Sequence, residues 1–84
     1  MQTLRVAAAA LRQTPLDWKG NVARMRAVLA DARANEVHVV CMPELVTTGY
    51  GCEDAFHSLD TIARAWDALV SVVADTKGLV ACIG

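Results

Sequence analysis

What this chain does not have narrows its class before any motif is read. No apolar run reaches the ~18 residues a membrane-crossing helix needs. The apolar stretch Val6 to Leu11 is too short for a signal-peptide core and has no basic leader, so the expected location is cytoplasmic. Charges are mixed along the chain and sum to −1, with no basic block of the kind that binds nucleic acid or an anionic membrane. Cysteine is scarce. Cys41, Cys52 and Cys82 are an odd number with no Cys-x-x-Cys or Cys/His pairing, which argues against a disulfide framework and against a zinc site. Glycine is missing from Gln13-Thr14-Pro15-Leu16, where a nucleotide-binding fold would place its phosphate loop. There is no repeat, linker or low-complexity segment.

Apolar residues, in contrast, are plentiful. They make up 55% of 84 residues, against about 45–50% in an ordinary soluble domain. A chain this short buries only roughly 60–65% of its unfolded surface. The excess is expected of a piece of a larger domain.

The pattern reads as strand, helix, strand, long loop, helix, strand. Leu4 to Leu11 is apolar and ends ahead of Pro15, as a strand does. Asp17 is placed to cap a helix on which Val22, Met25, Leu29 and Ala32 share a face and which ends near Asn35. Val37 to Met42 is β-branched and apolar, a strand expected to be buried on both faces in a parallel sheet, and Pro43 stops it. Ser58 is placed to cap a second helix, with Leu59, Ile62, Trp66, Leu69 and Val73 as its stripe and Gly78 beyond its end. Leu79 to Ile83 reads as a third strand. This is an α/β order with right-handed parallel crossovers.

The loop from Pro43 to His57 far exceeds the usual ~4–6 residues, and long loops in compact domains often carry function. Glu44 leads its candidates. It stands just past the end of the central strand, where open α/β sheets build their sites, and Pro43 constrains the backbone ahead of it. It reads equally as a positioned base or as a solvated loop charge. Tyr50, between Gly49 and Gly51, reads as a pocket wall or as a half-buried turn residue. Glu53 and Asp54 read as carboxylates that bind a cation or accept hydrogen bonds from a neighbouring loop or, more simply, as a capped surface turn, with a short helical turn from Glu53 to Phe56. His38 and His57 have no nucleophile or acid partner at a telling spacing. Met25 and Trp66 read as core. Cys41 and Cys82, inside apolar strands, are expected to be unreactive, and Cys52 to be the more accessible thiol.

Taken together, Asp17, Gly20-Asn21, the strand running into Pro43-Glu44-Leu45, and Gly49-Tyr50 resemble the start of a nitrilase-superfamily (carbon–nitrogen hydrolase) domain. The continuation GYGCEDAF, Gly49 to Phe56, is similar to the N-terminal glutaminase domain of glutamine-dependent NAD synthetases. The resemblance implies an α-β-β-α sandwich, of which residues 1–84 would be the N-terminal, incomplete part. It implies a Glu-Lys-Cys catalytic set with Glu44 as general base and Tyr50 lining a glutamine pocket, and no metal in this segment. The family's Lys and Cys have no counterpart in these residues; Lys77 and Cys82 do not stand in their motifs. The segment alone is therefore expected to be inactive. ATP and Mg²⁺ would serve a C-terminal synthetase domain, and the full-length protein would be a homo-oligomer.

Three alternatives remain at this point: a fragment of another amidase of the superfamily, a small non-catalytic α/β binding module, and a self-contained interaction domain. The last predicts a monodisperse chain that unfolds cooperatively. The fragment reading predicts aggregation through a bare apolar sheet face and open strand edges.

Overall fold

The structure is a computed structural model describing residues 3–84. Its elements follow the expected order: β1 (Val6–Ala8), α1 (Trp18–Ala34), β2 (Val39–Cys41), α2 (Leu59–Val72) and β3 (Val80–Cys82), with 3₁₀ turns at Glu53–His57 and Val73–Thr76. The three strands are parallel in the order β1-β2-β3, which puts β2 in the centre. Val6, Val39 and Val80 are in register, as are Ala8, Cys41 and Cys82. This is a mixed α/β arrangement, with three parallel strands joined through two helices.

Both helix starts form as their caps dictate. Asp17 Oδ1 accepts from Gly20 N at 3.1 Å, and Ser58 Oγ accepts from Asp60 N at 3.2 Å. Each satisfies a backbone donor that the helix cannot. The helix α1 ends at Ala34 with Asn35 as its cap, and Arg33 in its last turn suits the negative end of the helix dipole.

The core lies between the helices and one face of the sheet. Met25 and Leu29 of α1, Val40 of β2, Val46 of the loop and Val72 of α2 are fully buried there. Ala7 and Ala81 flank Val40 from the neighbouring strands. Small residues at these two positions let the helices settle close to the sheet.

Three expectations are corrected. The central strand is covered on one face only: Val40 is buried, while Cys41 is exposed. Val6 and Val80 lie on that same bare side and are well over half exposed, because only one layer of helices is present to cover the sheet. Second, the stripe on α2 does not face the core. Leu59 is 83% and Trp66 65% exposed, so Trp66 is not a core residue. The helix packs instead through Thr61, Ala68 and Val72, where smaller side chains permit close approach. Third, the cysteine order is reversed: Cys41 and Cys82 are exposed and Cys52 is buried.

Charged residues on α1 do more than face solvent. Arg26 bonds Asp75 Oδ2 at 3.1 Å and Ser71 O at 3.0 Å. Arg33 donates to the carbonyls of Asp75 and Lys77. These contacts fasten the C-terminal end of α2 to α1, although exposed ion pairs add only ~0–1 kcal/mol each.

Candidate active site

Glu44 sits at the carboxyl end of the central strand. Pro43 ends the ladder ahead of it, and Leu45 behind it has φ of +55°. Side chains beyond glycine rarely adopt that region, and holding one there costs about 1–3 kcal/mol. The chain thus reverses sharply just after Glu44. The reversal is closed by Gly49 N donating to Leu45 O at 2.8 Å. Gly49 itself needs to be glycine: its φ is +81°, and a Cβ there would lie 2.9 Å from the Thr14 carbonyl. Gly84, past the end of β3, backs onto the same place. A Cβ on it would fall 2.8 Å from Glu44 Cα.

The loop brings the two candidate residues together. Tyr50 Oη donates to Glu44 Oε2 at 3.3 Å. Partial burial, then the Glu44 charge and the hydrogen bond to it, hold the Tyr50 phenol above its ordinary pKa of 10.0. Among the described residues Glu44 Oε1 has no hydrogen-bond partner, which leaves one carboxylate oxygen for a ligand or an attacking group. The pair lines a cleft of about 250 Å³ with Leu11, Arg12, Gln13 and Leu45. That is slightly below the roughly 300–1,000 Å³ of complete ligand pockets.

The remaining candidates lie elsewhere. Cys52 Sγ is buried and directed at the carbonyls of Gly49 (3.3 Å) and Thr48 (3.5 Å), so it braces the loop. Cys41 stands beside Cys82 on the bare sheet face. The hydrogen bond with Cys82 and the repulsion of a second thiolate push the Cys41 thiol up from its ordinary pKa. Lys77 shares a cleft with His38 at the opposite, amino end of the strands. His38 Nδ1 accepts from Arg5 N at 2.9 Å. Glu53, Asp54 and His57 are exposed on the 3₁₀ turn. Among the described residues no group of three or more His, Cys, Asp or Glu is placed to hold a metal ion.

Sequence reasoning missed Gln13 and Arg24 and did not assign a role to Asn21. Asn21 is 0% exposed. The buried line on α1 runs Asn21, Met25, Leu29, Ala32. A carboxamide beginning an otherwise apolar line was the available signal, since a buried amide must find partners.

The profile of the carbon-nitrogen hydrolase family matches residues 5–84. A glutamine-dependent NAD(+) synthetase of Arabidopsis thaliana is 42% identical over 69 residues, 82% of this chain and 10% of the relative. That of Oryza sativa subsp. indica is 40% identical over 86 aligned residues, covering 100% of this chain and 12% of the relative. The chain therefore spans about a tenth of the length of the curated relatives it matches. Among solved structures, a glutamine-dependent NAD(+) synthetase from Cytophaga hutchinsonii superposes with a TM-score of 0.93 at 34% identity, over 95% of this chain and 14% of that one.

Proposed function

Because the chain belongs to the carbon–nitrogen hydrolase family, we propose that it is the N-terminal part of a glutamine-hydrolysing domain that supplies ammonia for NAD synthesis. The observation that carries this reading is the Glu44–Tyr50 pair at the carboxyl end of β2. A carboxylate held by a strand end and a strained reversal has the fixed geometry a general base requires.

In this reading Glu44 takes the proton of a cysteine thiol supplied from outside these 84 residues. The sulfur attacks the side-chain amide carbon of glutamine, and a lysine from the same outside segment stabilises the tetrahedral intermediate. The C–N bond breaks, and the proton leaves with ammonia. Water then cleaves the thioester to glutamate and restores the thiol. Tyr50, bonded to one carboxylate oxygen, orients Glu44 and forms a wall of the glutamine pocket. ATP and Mg²⁺ belong to the synthetase domain that consumes the ammonia, and no step above involves them. No helix among the described residues is long and apolar enough to cross a membrane, and we place the full-length protein in the cytoplasm as a homo-oligomer.

A base contributes ~10²–10⁴-fold only where there is a nucleophile to activate. The 84-residue chain is therefore expected to release no glutamate from glutamine. A chimera tests the positive side of the proposal. This chain replaces the matching segment of the Cytophaga hutchinsonii enzyme, and the expected result is glutamate release. A chimera that makes NAD from free ammonia but releases none would overturn the reading.

A further inference from the structure

Three successive carbonyls in the loop joining Glu44 to Tyr50 are gripped from one direction. Val46 O accepts from Gln13 Nε2 at 2.7 Å, Thr47 O from Asn21 Nδ2 at 3.1 Å, and Thr48 O from Leu16 N at 2.8 Å. All three donors lie on the β1–α1 connection or the first turn of α1. Asn21 also holds that connection itself. Its Nδ2 donates to Thr14 O at 2.9 Å, and its Oδ1 accepts from Thr14 N at 3.0 Å. Thr14 in turn is the surface against which Gly49 packs.

Arg24 sets the direction of both carboxamides. It donates to Asn21 Oδ1 at 2.7 Å and to Gln13 Oε1 at 2.7 Å, and it is anchored by Asp17 Oδ2 at 3.2 Å. A guanidinium has donors only. Both amide oxygens must therefore face Arg24, and both amide nitrogens must face the carbonyls. Among the described residues no buried side-chain nitrogen or oxygen is left without a partner. A satisfied buried network of this kind specifies one arrangement, since every alternative leaves a polar group unpaired.

We infer that Asn21, together with Gln13 and oriented by Arg24, is a positioning residue that sets the Glu44 carboxylate against the Tyr50 hydroxyl. The inference rests on the general-base reading only for the chemistry that this positioning serves.

Tyr50 is the one tyrosine among these 84 residues; in the chimera, where the segment has the rest of a domain around it, a single labelled tyrosine at position 50 lets its titration be read alone. The variants are Asn21→Leu and Gln13→Met, both neutral, so neither brings a new charge near the phenol. Each is expected to shift Tyr50 down toward its ordinary value, because the carboxylate drifts out of contact, while far-ultraviolet circular dichroism stays unchanged. Glu44→Gln shifts Tyr50 down by itself, and adding Gln13→Met to it produces no further shift. A role confined to stability would move the melting temperature and leave the titration alone. Should Asn21→Leu fail to fold, Gln13→Met at its half-buried position decides the matter. An unchanged Tyr50 titration in folded Gln13→Met, or an equal shift with Glu44 already replaced, overturns the inference. The titration is independent of turnover. A failed chimera with a normal titration pattern rejects the general base and keeps the positioning role; the reverse pattern does the opposite.

Discussion

The helices α1 and α2 lie against the same face of the same sheet, yet they bury different fractions of their apolar residues. On α1 the buried line contains Met25 and Leu29, both inaccessible, and Asn21 at its head holds the loop that follows β2 through the Thr47 carbonyl. On α2 the most regular apolar stripe of the sequence is turned outward, and small residues make the contact. Periodicity reports that a helix has an apolar face. It does not report which neighbour covers that face, or whether the neighbour is among these residues. The first helix is anchored by side chains of the described residues; the second leaves most of its apolar stripe exposed among them.

The largest effect should come from the anchored side. Leu29→Ala is expected to cost about 2–5 kcal/mol, the range for deleting a buried leucine and leaving a cavity. Chemical denaturation checks it, and a loss within experimental error would show that α1 is not the core helix. Next is the loop that α1 holds. Gly49→Ala forces a side chain into a left-handed backbone against Thr14 and should cost about 1–3 kcal/mol, with the Tyr50 titration moving down toward the ordinary value.

The bare sheet face gives a smaller, chemical readout. Replacing Cys82 by Ala removes the neighbour that raises Cys41. The Cys41 pKa should fall, its thiolate fraction at neutral pH should rise, and alkylation of Cys41 should accelerate. An unchanged rate would contradict the side-by-side placement of the two thiols. The smallest effect belongs to the outward stripe. Trp66→Ser should change the stability of this chain by no more than ~0.5 kcal/mol, as exposed substitutions do. A loss of several kcal/mol would place Trp66 in a core after all and erase the contrast between the helices.

Local rules recovered much of this arrangement. The caps Asp17 and Ser58, the stop at Pro43 and the parallel order each follow from a few neighbouring residues, and each formed as expected. Glu44 could be placed because a strand end is a local feature. Its pairing with Tyr50 could not, since the contact depends on Leu45 adopting a positive φ and on Gly49 meeting Thr14, some thirty-five residues away. The same holds for Asn21, whose role is defined by the carbonyls of a loop far along the chain. Cys52 was misjudged for a related reason: a position in a loop suggests access, but this loop folds inward over its own backbone, with Thr47, Thr48 and Gly49 buried beside the thiol.

The central claim is that the sharp turn after β2 holds Glu44 as a base. The most direct measurement is NAD synthesis driven by glutamine and by free ammonia, compared in the chimera with and without Glu44→Gln. The account predicts that the glutamine-driven rate falls by ~10²–10⁴-fold while the ammonia-driven rate is retained. An unchanged ratio of the two rates would contradict it.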